Sequence, residues 1–334
     1  MFNEDEGRSL LHIRSPEIAL DTNRYFSYGK RFFTTLEVVF MIVVTTPTGQ
    51  FGHQVLNNLL NSNEPIRVIV RDPSRLPAHT RERVEVVQGS HDDLDVVNRA
   101  FAGADSVFWV VPPAPHAASV EAAYVDFSRP ACEAFKSQRV KRVVGISALG
   151  RGTAVEKNSG LVAGLLAKDD LIASTGVSYR ALTIASYMDN LLRQVRSIKS
   201  QGMFFDMVSG ERKVPTCATR DIASVATRLL LDHSWSGQGN VPVLGPEDLS
   251  FNDMAQIMSE VLGRPVRYQQ IPGEALKAEL TGSGWSDAMA QGMVNMMVAK
   301  DNGIDNAEPR TPESTAPTSF RQWCEEVLKP AVLA

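Results

Sequence analysis

The chain has 334 residues, 43% of them hydrophobic and 22% charged, and a formal net charge of −4. That balance describes an ordinary globular protein of two domains or one elaborated domain, and it gives no reason to expect a nucleic-acid partner. Three widely spaced cysteines, Cys132, Cys217 and Cys324, suit reduced thiols rather than a disulfide framework or a zinc site, and no uninterrupted apolar run reaches the ~18 residues of a membrane span. The expectation is a cytoplasmic monomer or homodimer with no metal and no membrane partner.

Residues 1–40 stand apart. Met1 to Gly7 is acidic, unlike the basic start of a secretory signal or an Arg-rich transit peptide. Phe32 to Phe40 is apolar but interrupted by Glu37, and Met41 sits where a strand begins. The segment is expected to be a weakly ordered, dispensable appendage read from an upstream start codon.

Ile42-Val43-Val44 is a short β-branched run that reads as a buried strand. A turn, Thr45 to Gly49, and apolar residues at helical spacing, Phe51, Val55, Leu56 and Leu59, follow it. Strand, glycine turn and helix in this order make a phosphate-binding device, because the opening helix offers free N–H groups and glycines admit a pyrophosphate to the backbone. Gly49 and Gly52 keep the spacing of the last two glycines of the dinucleotide fingerprint. Pro47 stands in place of the first in G-x-G-x-x-G, and Thr46 does so in the wider G-x-x-G-x-x-G form. An ordinary βα turn is the alternative.

The pattern then alternates. Strands are expected at Ile66–Val70, Val84–Val87, Ser106–Val111, Arg142–Ile146 and Val177–Leu182. Between them lie an Asp72-Pro73 helix start, a helix through Leu94, Val97 and Phe101, a long helix over Ala117–Ser137, and one over about Ser159–Ser174. This rhythm argues for a parallel α/β sheet covered on both faces, with ligands at the carboxyl ends of its strands. Arg71, at the end of the second strand, holds the place where an acidic side chain would grip the ribose of NAD. A guanidinium there suits a 2′-phosphate, with Arg75 as a second clamp, so NADP(H) is preferred over NAD(H).

Further on, Pro242 to Pro246 reads as strand and turn, Ser250–Leu262 as an amphipathic helix with Ser250 as its cap, and Val266–Ile271 as a strand. Ala275–Leu280 and Ser286–Val298 read as helices. Met289, Met293, Met296 and Met297, with Trp285 before them, fit a core stripe or an adaptable apolar wall for a flat substrate. The tail from Asp301 to Ser319 reads as a wrapping loop, and Phe320, Trp323, Val327 and Leu328 give a last helix one apolar face.

TTPTGQFG, VRDPSRL, GSHDDLDVVNRAFAGADSVFWVVPP and VKRVVGISALG, in this order and spacing, resemble the NmrA-like branch of the atypical short-chain dehydrogenases. GVSYRALTIASYMDNLL, TRDIASVATRLLLD and GPEDLSFNDMAQIMSEVLGRPVRY extend the likeness over roughly Met41 to Val298. The resemblance implies a Rossmann-type doubly wound sheet with a smaller α/β C-terminal lobe. Residues 41–185 would form the NAD(P)-binding domain, 186–300 a substrate lobe interleaved with it, and 301–334 a wrapping tail and terminal helix. It also implies that Thr48, Gly49, Gln50, Phe51 and Gly52 hold the pyrophosphate, with Thr46 and Pro47 also at the cofactor, and that Arg71 holds the 2′-phosphate. Ser90 and His91 would flank the adenine, Val111 and Pro112 the nicotinamide ribose, and Ser147 and Ala148 the nicotinamide. Tyr187, Met188 and Asn190 would open the substrate pocket.

One departure from the wider superfamily decides the chemistry. Typical short-chain dehydrogenases use a Tyr-x-x-x-Lys pair on the helix after the fifth strand, whose spacing puts both groups on one face for proton transfer. The matching positions here are Leu161 and Leu165. Ser147 and Lys168 are the remaining catalytic candidates, Lys168 by reaching a ribose hydroxyl or else as a plain solvated lysine. His116 is a proton source at the pocket rim or a solvated loop histidine. Two functions stay open: an NADPH-dependent reductase of a quinone, azo or triarylmethane acceptor by direct hydride transfer, and a non-catalytic NADP(H)-binding redox sensor. A relative of the sugar-nucleotide epimerases is a third reading, and the missing pair counts against it.

Overall fold

The computed structural model describes residues 40–334. The expected appendage lies outside them except for Phe40, whose amide donates to Glu64 Oε2 at 3.0 Å and whose ring stacks on His233 at 3.7 Å.

In chain order the strands are β1 (Ile42–Thr45), β2 (Ile66–Val70), β3 (Glu85–Gln88), β4 (Ser106–Trp109), β5 (Arg142–Ala148), β6 (Ser178–Ile184), β7 (Ser186–Tyr187), β8 (Met203–Asp206), β9 (Val214–Cys217), β10 (Gln238–Val243), β11 (Asp248–Leu249) and β12 (Arg267–Gln270). The helices are α1 (Gly52–Leu59), α2 (Ala78–Arg81), α3 (Leu94–Phe101), α4 (Phe127–Ser137), α5 (Leu161–Ala173), α6 (Val195–Gln201), α7 (Thr219–Leu231), α8 (Phe251–Leu262), α9 (Gly273–Gly282), α10 (Asp287–Asp301), α11 (Phe320–Trp323) and α12 (Lys329–Leu333).

The main sheet runs β10-β6-β5-β4-β1-β2-β3, and every pair in it is parallel. Strand order reverses beside β1, which opens a crevice at the carboxyl ends of β1 and β4. Both faces of the sheet are buried, so its strands read as unbroken apolar runs rather than alternating ones. Ile42, Val44, Val68 and Phe108 pack on one face against Val55, Leu56 and Leu59 of α1 and Ile222, Ala226 and Leu230 of α7. Val43, Ile69, Val107 and Trp109 pack on the other against Val97 and Phe101 of α3 and Phe135 of α4. Each fully buried Val, Leu, Ile or Phe contributes about 1.5–3 kcal/mol, so one misplaced strand would be costly. A separate core holds the second lobe: Ile198, Phe204, Met254 and Met258 meet Phe320, Trp323, Leu328 and Val332 of the terminal helix.

Several boundaries differ from the expected ones for local reasons. β4 stops at Trp109, two residues early, because Thr45 Oγ1 donates to Phe108 O at 2.9 Å and accepts from Val110 N at 2.9 Å, replacing strand pairing there. The long helix expected from Ala117 contains a π-turn, Ala122–Asp126, before α4. The segment expected as strand and turn from Pro242 starts earlier, as β10, and pairs with β6 at the edge of the main sheet. The caps agree with the pattern: Asp72 Oδ1 accepts from Ser74 N at 2.9 Å, and Ser250 forms a reciprocal capping box with Asp253.

Candidate active site

The turn between β1 and α1 is built from backbone contacts. Thr46 adopts a left-handed φ of 49°, the conformation a first glycine would supply, and Gly49 N donates to Thr46 O at 2.8 Å. Gly52 lies so close to the strand that a Cβ there would come within 2.1 Å of Thr46 O and 2.8 Å of Thr45 O. It seats α1 against β1 and leaves the opening of the helix facing a cleft. The amides of Gln50 and Phe51 have no acceptor among the described residues, and the first turn of α1 carries no acidic side chain. This is an anion cradle, with donors and partial positive charge but no carboxylate of its own, and it fits a pyrophosphate.

The cleft has a volume of about 1730 Å³ and runs from this turn across the sheet ends to the second lobe. Arg71 and Arg75 line its near end, both exposed, and neither has a carboxylate within ion-pair distance among the described residues. The intervening Asp72 is occupied with Ser74, whose hydroxyl and amide hold its carboxyl below the usual range. Ser90 and His91 follow along the wall. His91 lies edge-on to Trp109 and Phe127, and its Nε2 is 3.0 Å from Val110 O. Burial pushes its pKa down to about 4, so the ring is neutral at pH 7.

Of the remaining expected residues, Val111, Pro112, Ser147, Ala148, Tyr187, Met188 and Asn190 line the same cleft, as do Thr46 to Phe51. Leu161 and Leu165 line it too, so the positions of the absent Tyr-Lys pair do face the site. The far wall contains Trp285, Met289, Met293, Met296 and Met297. The methionine stripe is therefore both core, with Met289 fully packed, and wall.

One expectation is corrected. Lys168 is not a solvated lysine and does not reach the cleft: its side chain is 1% exposed, and Nζ donates to Ile146 O at 2.5 Å and pairs with Asp169 at 3.0 Å. Asp169 also accepts from Tyr179 OH at 2.6 Å and from Ser147 Oγ. Lys168 thus balances a buried carboxylate under the site, and Ser147 alone of the catalytic candidates borders the cleft. Of the two readings of His116, the geometry keeps the loop histidine: it is not among the lining residues, and its Nδ1 contacts Gly284 O at 2.7 Å in an exposed loop.

Sequence reasoning missed Tyr124, Arg193, Arg196 and Lys300, which also line the cleft. Lys300 follows Met293 and Met297 along the same face of α10, a spacing that could have pointed to it. Tyr124 carried no such signal, because the π-turn that presents it is not written in a spacing. Among the described residues no cluster of His, Cys, Asp or Glu could hold a metal ion, and no helix is long and apolar enough to cross a membrane.

The chain matches the model of an NAD(P)H-binding family over residues 47–233 and that of the NmrA-like family over residues 173–323. It is 30% identical over 253 residues to the NAD(P)H azoreductase of Xenophilus azovorans, covering 76% of this chain and 85% of that protein. Its fold is similar to that of the NADPH-dependent quinone oxidoreductase of Escherichia coli in complex with NADPH, with a TM-score of 0.70 and 22% identity, over 84% of this chain and 98% of the other. The Citrobacter sp. triphenylmethane reductase complexed with NADP(H) gives a TM-score of 0.70 and 20% identity, over 85% and 98%. Fold, family match and the azoreductase relative together define a Rossmann-type NAD(P)H-dependent oxidoreductase. Within that class, the chain belongs to the NmrA-like family.

Proposed function

We propose that the protein is an NADPH-dependent reductase of a conjugated aromatic acceptor of the quinone, azo or triarylmethane type, acting by direct hydride transfer. The reading is carried by Leu161 and Leu165, which border the cleft where a proton-moving pair would stand, in a lining that also holds four methionines and a tryptophan. Such a site favours an acceptor that is flat, polarizable and able to take a hydride without a Tyr-Lys pair. The azoreductase relative, at 30% identity, supports the same class.

In this reading the cofactor supplies the hydride, and the chain supplies position and dryness. The amides of Gln50 and Phe51 hold the pyrophosphate, while Arg71 and Arg75 hold the 2′-phosphate and thereby favour NADPH over NADH. Ser90 and the neutral His91 border the adenine side without adding charge. Val111, Pro112, Ser147 and Ala148 border the ribose and the ring. The lobe built on residues 186–300 closes the other side, and its apolar side chains exclude water and orient the acceptor.

Stopped-flow mixing of the protein and NADPH with a quinone, an azo dye and a triarylmethane dye tests the proposal. Cofactor oxidation above the uncatalysed rate is expected for at least one acceptor. Tight NADP(H) binding with no turnover on any of them would instead establish the redox sensor.

A further inference from the structure

The geometry points to Tyr124 as the group that delivers a proton to the acceptor, a role that rests on the reductase reading above. Tyr124 lies in the π-turn Ala122–Asp126 and lines the cleft. Such turns are rare and concentrate at functional sites, because they re-aim a side chain within an otherwise regular helix. This one is held in place: the Tyr124 carbonyl accepts from Ser128 Oγ at 2.8 Å, and Trp109 Nε1 donates to the same hydroxyl at 3.3 Å.

The ring is aimed at α5. Gly164 lacks the side chain that would block it, since a Cβ there would lie 2.7 Å from Tyr124 Cδ2. Gly164 stands between Leu161 and Leu165, the two positions where the Tyr-Lys pair is absent. A phenol arriving from the neighbouring helix therefore occupies the neighbourhood that α5 itself leaves without one. Around it are Leu161, Met289, Met293, Met296 and Trp285, the apolar wall of the proposed acceptor site.

The hydroxyl has no hydrogen-bond partner among the described residues, and it is not sealed from the cleft. Its polar neighbour is Tyr187, which meets Phe51 of the phosphate turn edge-on at 5.2 Å. Tyr124 thus stands between the cofactor end and the methionine wall. Burial pushes its pKa up to about 12, so it is a neutral donor throughout the physiological range. Such a weak acid gives up its proton only to a strongly basic acceptor atom.

With an azo acceptor the balance is as follows. The C4–H bond of NADPH breaks, and its electron pair and hydrogen go to one nitrogen. The Tyr124 O–H bond breaks, and its proton goes to the other nitrogen. The acceptor leaves as the hydrazine and the cofactor as NADP⁺, while the phenolate recovers a proton from water. The need for this proton is graded by acceptor. A reduced azo nitrogen anion is strongly basic, a quinone that has taken the hydride is a milder phenolate, the hydroquinone monoanion, and a cationic triarylmethane dye becomes neutral on taking the hydride and needs no proton.

The full chain and its Tyr124→Phe variant test the assignment on two readouts. Without cofactor, a substituted phenolate mimics the hydroquinone monoanion, and titration by tryptophan fluorescence should show it binding the variant about tenfold more weakly, as for one lost hydrogen bond to a charged group. With NADPH, kcat for the azo acceptor should fall by roughly 100-fold. The fall should be smaller for the quinone and absent for the dye. Equal phenolate binding with unchanged kcat, a rise in KM alone, or an equal loss on all three acceptors would each overturn the proton step while leaving the reductase standing. A wild-type protein that binds NADPH and reduces none of the three would overturn the reductase reading and the proton step together.

Discussion

Arg71 and Arg75 present guanidinium groups to the cleft, and the one carboxylate near them in sequence, Asp72, is committed to Ser74. In the proposed complex an unpaired guanidinium lining this cleft forms charge-assisted bonds to a 2′-phosphate that NADH lacks. Arg71→Glu should therefore weaken NADPH binding by about 1.5–3 kcal/mol, roughly 10–150-fold, and NADH binding much less. Calorimetry with both cofactors measures this, and equal losses would undo the assignment. Arg71 was legible because its place follows from where the second strand ends. Lys168 was misread for the opposite reason: a helical pattern gives the face of α5 but not the depth, and only the packing of β5, β6 and α5 buries its neighbour Asp169 with Ser147 and Tyr179 and draws the lysine inside. Tyr124 was invisible because two distant features, a π-turn and a missing Cβ on α5, jointly decide where its ring points.

Among the elements, the β1–α1 unit depends most on one close approach. A methyl group at Gly52 would meet the carbonyl oxygens of Thr46 and Thr45 at 2.1 and 2.8 Å, and both belong to backbone anchored by a buried strand. Gly52→Ala should therefore push α1 off the sheet. The expected results are a stability loss of about 1–3 kcal/mol or more in urea unfolding and NADPH binding weakened beyond measurement. Gly49→Ala is the contrast: its Cβ would lie 3.2 Å from Thr46 O, so a shift of a few tenths of an ångström relieves it. Near-native behaviour of the Gly52 variant would contradict the packing argument. The glycine spacing made this unit readable, and the strand–helix alternation did the same for β1 to β6. The pieces the pattern did not show, such as β7 and β9, are defined by distant partners: Thr216 Oγ1 reaches Ser186 O at 2.9 Å across thirty positions of chain. No local periodicity encodes a pairing of that kind.

At the scale of the molecule, the C-terminal segment laces the sheet to the lobe. Leu244 N donates to Ser314 O at 2.8 Å and Ala316 N to Leu244 O at 2.6 Å, next to β10, and Thr318 is held by the Asp221 carboxylate of α7 at 3.0 and 3.1 Å. The chain then turns into the lobe core, where Phe320 and Trp323 pack with Met188, Leu191, Val214 and Met254. Those four residues and Phe320 also form part of the cleft wall. The same side chains therefore stabilise the lobe on one side and shape the cleft on the other. Trp323 is 1% exposed, and truncating it to alanine should cost about 3–5 kcal/mol. Because the lacing joins the two cores, the loss should lower a single unfolding transition rather than split off a separate one for the lobe. NADPH at one hundred times its dissociation constant should restore about 2.7 kcal/mol of it. Scanning calorimetry with and without NADPH reads both effects. Two transitions, with the cofactor moving only one, would mean that the lobe folds independently of the sheet and that the cleft is not built as one piece.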